Sequence, residues 1–233
     1  MTPDQLRQHR ERIFPIILSF ISAFVDAICY IGLFRTFTAF ITGTLIILAA
    51  DVVQEDSGFI TKIIVAVSFI VCLLLWVLII QRFLDHRLIR PALFLVEAAL
   101  LAVFMVGGVY LAPLPAADSP ETIFLAVVAV IAMSLQNALM AVVLSAHVPT
   151  TVMTGNLTRF AVSTIAIFGL SRKDERANLS GLFETRSQLK HYLYVLSAFV
   201  IGALAGAAGF FIVGFWALAC PVIALVGLSL YRS

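Results

Sequence analysis

The sequence predicts an all-α polytopic membrane protein made of two internally repeated halves. Three observations carry that class. First, 62% of the 233 residues are hydrophobic and only 12% are charged, with a mean hydropathy of +1.08. A soluble domain has roughly 45–50% apolar and about 25% charged residues. Second, the apolar residues fall into long runs separated by short polar segments. Third, a polar motif recurs inside the apolar runs. Asp26-Ala27 is matched 111 residues later by Asn137-Ala138, and Thr42-Gly43-Thr44-Leu45 is matched 112 residues later by Thr154-Gly155-Asn156-Leu157. Polar residues inside a membrane span are costly and mark function.

The elements follow in order. Residues 1–12 are polar and basic (Arg7, Arg10, Arg12), and Ile13–Leu33 is apolar. The segment after Leu33 lacks the small residues of a cleavage site, so this run is expected to stay as a first transmembrane helix. Thr36–Ala50 reaches only about 22 Å as a helix, against a hydrocarbon core of about 30 Å. Asp51–Ser57 is an acidic loop and Ile60–Ile80 a full span. The segment 81–90 is basic (Arg82, Arg87, Arg90), and Pro91–Leu111 is a span carrying Glu97. Pro113–Glu121 is a turn-rich loop whose prolines end the preceding helix. Thr122–Ser145 is a span with Ser134, Gln136 and Asn137, broken by His147 and Pro149. Thr150–Leu170 holds the second Thr-Gly motif and Arg159. Ser171–Lys190 is the longest polar loop, and Tyr192–Phe211 and Val213–Leu230 complete the chain.

Two crossing patterns fit these eight apolar segments. In one, about six helices cross and the two Thr-Gly segments are short, re-entrant or broken. Each half, 1–115 and 116–233 of one integral membrane domain, then has three crossings, and the halves are inverted. In the alternative, all eight segments cross and the halves are parallel. The six-crossing pattern places the basic residues of 7–12, 82–90, 172–190 and Arg232 on the N-terminal side and leaves only Arg35 and Lys62 opposite. The eight-crossing pattern moves the Arg82 cluster across. The positive-inside rule favours the former and makes both termini cytoplasmic.

The candidate binding residues for a solute or ion are Asp26, Thr42, Gly43, Glu97, Gln136, Asn137, Thr154, Gly155, Asn156 and Arg159. Asp26 is expected to be paired, protonated or in a cavity, as a proton-coupling carboxyl or cation ligand, with Asn137 or Thr154 as structural partners on the bland reading. In the inverted arrangement the two Thr-Gly turns meet near the midplane, where irregular backbone is tolerated if it lines a cavity. Glu97 pairs with Arg90 or another arginine of the same side on the bland reading, and Arg159 meets an anionic substrate, pairs with Asp26 or Glu97, or snorkels. Gly202 and Gly206 form a close-packing face, for an internal helix or for a second copy in a homo-oligomer.

The remaining composition excludes several classes. The net charge of +2 does not suggest nucleic acid. Cys29, Cys72 and Cys220 lie in apolar runs without metal-site spacing, so no metal or other cofactor is expected. There is no nucleotide-binding glycine loop, HExxH or Gly-x-Ser-x-Gly motif.

Phe24-Val25-Asp26-Ala27, Thr42-Gly43-Thr44, Leu135-Gln136-Asn137-Ala138 and Thr151-Val152-Met153-Thr154-Gly155 together resemble the YoaK-like family of bacterial integral membrane proteins. Glu97 and the Gly-Ala repeat at 202–207 fit the same pattern, while Ile41-Thr42 stands where Met-Thr is usual. The resemblance implies about six helices in a bacterial inner membrane and supplies no substrate. The residues themselves lead to an expectation of a small secondary transporter or channel-like permease. The alternatives are an intramembrane enzyme using Asp26 and Glu97, or a non-transporting scaffold or sensor.

Overall fold

The computed structural model describes residues 13–54, 57–84, 86, 88–144, 153–167 and 179–231. The basic segment 1–12, the His147-Pro149 break and the loop 171–178 lie outside them. The described residues are helical, without strands: α1 (Ile13–Gly32), α2 (Ile41–Gln54), α3 (Phe59–Arg82), α4 (Ile89–Leu111), α5 (Pro120–Val142), α6 (Met153–Ile167), α7 (Leu179–Val213) and, after a 3-10 segment at Gly214–Leu218, α8 (Ala219–Leu230). Among the described residues, five stretches are long and apolar enough to cross a membrane: α1, α3, α4, α5 and the combined run Ser187–Leu230.

Side-chain contacts fix the helix directions. Gly202 and Gly206 of α7 press on the backbones of Phe20 and Phe24 of α1, so these two helices run the same way. Thr61 meets Ala117 and Trp76 donates to the Ile131 carbonyl at 3.2 Å, so α3 runs with the start of α5 and stays parallel to it. Gly107 faces Leu125, which makes α4 and α5 an antiparallel hairpin. Phe14 stacks on Phe94 at 5.8 Å and meets Tyr231 edge-on at 5.9 Å. The start of α1, the start of α4 and the end of α8 therefore share one face of the bundle, called here the N-terminal face. Gly32, Gly108 and Phe215 meet at the far face. The run 187–230 is thus two passes, up along α7 and back along α8.

The principal packed pairs are α1 with α7, α3 with α5, α4 with α5, and α4 with α8, while α2 packs on α3 and α6 on α7. Helices α1 and α5 are central, with 67% and 72% of their apolar window buried, whereas α3 is 22% buried and turns Val67, Ile70, Val71, Leu74 and Leu78 outward. That outward stripe suits lipid, which is as apolar as the side chains themselves.

Two sequence expectations need correction. The segment read as the polar loop 171–190 is helical from Leu179 onward. Its Leu182, Phe183 and Leu189 recur at near-helical spacing, and the 35-residue α7, about 52 Å long, outruns the hydrocarbon core. The acidic loop starting at Asp51 is the last turn of α2, and Asp51 is buried there.

The small-residue face of α7 is filled from within the chain. A Cβ on Gly202 or Gly206 would collide with the carbonyl oxygens of Phe20 and Phe24. This face is therefore occupied by α1 and does not present itself to a second copy. Gly206→Leu is expected to push α1 and α7 apart at a cost of several kcal/mol, beyond the usual 1–3 kcal/mol of overpacking because backbone blocks it. Thermal unfolding in detergent checks this; an unchanged midpoint would sink it.

Candidate functional site

After α1 the chain turns back on itself. Phe34 and Arg35 take left-handed backbone (φ 50° and 63°), an uncommon conformation for such residues, and the Arg35 N–H donates to the Tyr30 carbonyl at 2.9 Å. Thr44 Oγ1 pins the returning strand of chain by donating to the Phe37 carbonyl (2.7 Å) and accepting from the Phe37 N–H (2.8 Å). The loop thereby reaches down to Asp26, about 9 Å below the far-face end of α1 at 1.5 Å per residue.

Asp26 receives the loop with both oxygens. Oδ1 accepts from the N–H groups of Thr38 (2.7 Å) and Ala39 (2.8 Å) and from Thr38 Oγ1 (3.3 Å), and Oδ2 accepts from the Phe40 N–H (2.8 Å). These donors open α2, which begins at Ile41. A helix start leaves backbone N–H groups without partners and carries a partial positive charge. Asp26 answers both needs from another helix. Its partners lie in its own half, in place of the Asn137 or Thr154 expected from sequence.

Helix α2 then climbs back to the far face. There Asp51 meets Lys62 Nζ of α3 at 2.7 Å and Arg35 at 3.4 Å. Lys62 and Asp51 are both fully buried. Close by, the Asp118 carboxylate accepts from the N–H groups of Gly58 (2.9 Å) and Thr61 (2.8 Å), capping α3 whose own first residues supply no cap. Burial pushes Asp118 up, but the Thr61 and Gly58 donors, with Lys62, outweigh it and hold the group below the ordinary aspartate value. A depressed value means the cap contributes its stability above the ordinary value of about 3.9 and loses it as pH falls through the folded one. Asp118→Asn is expected to flatten the acid limb of the unfolding-against-pH curve and to cost about 0.5–2 kcal/mol near neutrality. An acid limb identical to the parent's would contradict this role.

The other candidates are distributed as follows. Gly43 is buried beneath the rings of Phe37 and Phe40, and Thr42 is exposed. Asn137 donates to the Met133 carbonyl of its own helix at 2.9 Å. Thr154 is exposed, Gly155 half-buried, Asn156 buried and Arg159 exposed on α6. The two helices bearing the Thr-Gly turns have separate partners, α3 and α7.

Gln136 and Glu97 stand apart from this pattern. Gln136 Nε2 donates to the Leu18 carbonyl of α1 at 2.9 Å, while its Oε1 has no hydrogen-bond partner among the described residues. Glu97 is fully buried, and neither of its carboxyl oxygens has a hydrogen-bond partner among the described residues. The pairing with Arg90 expected from sequence is therefore not made.

Sequence reasoning missed Asp51, Lys62, Thr38 and Asp118. A usable signal existed for Lys62, a lone lysine one turn into an apolar run, which invites a buried partner.

Residues 14–231 match the family described as a protein of unknown function (DUF1275). The chain belongs to that family. No curated protein and no solved structure matches it, so the YoaK-like likeness rests on the motifs alone.

Proposed function

We propose that this DUF1275 protein is a small secondary transporter or channel-like permease built from two inverted halves. The observation that carries the reading is α2: a short helix that starts inside the bundle, is capped there by Asp26, and returns to the face from which it came. Such half-helices place backbone and helix ends at membrane depth, as transporter sites do. The packing supports the inversion. Exchanging α1, α3 and α4 for α5, α7 and α8 turns the pair α1–α7 into α5–α3, keeps α4–α8, and reverses every helix direction. At the same offset, Phe20 contacted by Gly202 corresponds to Ile131 contacted by Trp76. On this reading the Thr-Gly segments and Asn137 line the path for a small solute or ion.

Depth argues against a shared acid–base pair. Asp26 lies twelve residues beyond Phe14, and Glu97 three beyond Phe94. With Phe14 and Phe94 stacked and the helices aligned, the carboxyls sit about 13 Å apart along the bundle axis. Catalysis needs both within hydrogen-bond reach of one substrate.

The charge distribution supports a cytoplasmic-membrane location with both termini inside. Single cysteines at Ser57 and His86 are expected to label from opposite sides, Ser57 from outside. The decisive experiment is flux in proteoliposomes under imposed proton, ion and metabolite gradients. Uptake above empty vesicles is expected; no flux under any gradient would overturn the reading.

A further inference from the structure

One buried carboxyl takes no part in the helix-capping contacts described above. Asp26, Asp51 and Asp118 each hold helix ends or a lysine. Glu97 has no hydrogen-bond partner among the described residues, although it is completely buried.

The register of the helices shows what stands at its level. Gly107 faces Leu125 across the antiparallel α4–α5 hairpin. Ten residues from that contact on each helix, Glu97 falls level with Leu135, within one residue's rise of Gln136. A second route gives the same level. Phe94 stacks on Phe14. Glu97 lies about one turn beyond Phe94, and Leu18, whose carbonyl takes the Gln136 amide, about one turn beyond Phe14 on the parallel α1. Three oxygens without hydrogen-bond partners, two of Glu97 and one of Gln136, thus share one depth near the N-terminal face.

We propose that Glu97, with the amide oxygen of Gln136, forms a proton-binding site inside the bundle. The chemistry favours a proton over a metal cation. Three oxygens are too few for a dehydrated hard cation, which takes about six or more. A bare carboxylate would be a buried charge without a countercharge, which proteins avoid by neutralising the group. A protonated Glu97 also has one O–H to donate, and Gln136 Oε1 is an acceptor without a partner among the described residues, while one of the two N–H donors of its amide holds the Leu18 carbonyl. Among the described residues, the elements packed on α4 bring no competing charge. Helix α8 offers Cys220 near its far-face start and is followed by Tyr231, edge-on to Phe14 at the N-terminal face; the 3-10 segment has no titratable group, and α5 has only Glu121, at its opposite end. On α1, Asp26 is saturated by its own donors and lies deeper. Arg90, on α4 itself, is two turns away and does not hydrogen-bond Glu97.

If the transport reading also holds, on which only this clause rests, Glu97 is the group that couples flux to protons, and Asp26 is structural.

Infrared difference spectroscopy of the full-length protein in lipid vesicles tests the site without reference to transport. The wild type is expected to show a protonated carboxylic C=O band at neutral pH. That band should shift in D2O and give way to carboxylate as pH rises. It should be lost in Glu97→Gln, a near-isosteric change, and should move to higher frequency in Gln136→Leu as its hydrogen bond is lost. A carboxylate at neutral pH overturns the proposal, as does a band that neither exchanges nor titrates. A titrating Glu97 in a protein that moves no solute leaves the proton site standing and removes the transporter. Flux whose pH dependence is unchanged in Glu97→Gln, with no band assignable to Glu97, does the reverse.

Discussion

Asp26→Ala is expected to be among the most damaging single substitutions in the chain, lowering stability by about 3–5 kcal/mol. The estimate follows from what the carboxylate holds. Three backbone N–H groups and one hydroxyl converge on it, and Ala39, Thr38 and Asp26 itself are buried. Removing the acceptor leaves each donor to bear its own desolvation cost, about 1–3 kcal/mol apiece, partly relieved by loop movement. It also removes the negative charge from the start of α2. Asp26→Asn is the informative companion. It keeps one acceptor oxygen but turns an amide NH2 toward backbone donors, so it is expected to retain less than half of the stabilisation. Unfolding in detergent, followed by helical signal and by monodispersity on a sizing column, measures both. If Asp26→Ala melts like the parent, the loop is not held by this residue. If Asp26→Asn is stable while flux is abolished, the charge serves transport and the structural assignment is wrong.

The contrast between Asp26 and Glu97 shows what sequence could and could not deliver. Composition and apolar runs suffice for the class, because backbone polar groups in lipid are satisfied within helices or closed barrels, and continuous apolar runs of about 20 residues fit the helix. The brevity of the Thr36–Ala50 run and the distribution of Lys and Arg already pointed to a segment that does not cross. The motif repeat found Asp26, since a carboxylate in an apolar run is conspicuous. Its partners were not legible, because three of the four donors are the backbone N–H groups of Thr38, Ala39 and Phe40, which almost any sequence would supply. Lys62 and Asp51 were misplaced for a related reason. Each sits at the end of an apolar run, where a charged residue ordinarily marks water, and only the return of α2 against α3 brings them together. The face at Gly202 and Gly206 read correctly as close packing, but spacing alone carries no information on which helix fills it.

Lys62→Met is expected to cost about 3–5 kcal/mol, the penalty of leaving one member of a buried pair without its partner. Asp51 would keep only Arg35, at 3.4 Å and with a side chain 47% exposed. The double replacement Asp51→Leu with Lys62→Met is expected to recover most of that loss, and to end between neutrality and a gain of about 1–4 kcal/mol. Exchanging a buried pair for apolar groups of like volume removes two desolvation costs at once. The coupling energy from the four-member cycle separates the pair from its surroundings, because Arg35 is present throughout. The pair's value then lies in register: it ties the last turn of α2 to the second turn of α3, so that the capped start of α2 stays against Asp26. The double variant should accordingly be as stable as the parent yet show faster backbone hydrogen exchange across residues 41–51. Equal exchange in the two proteins would mean that Asp26 alone fixes the returning helix.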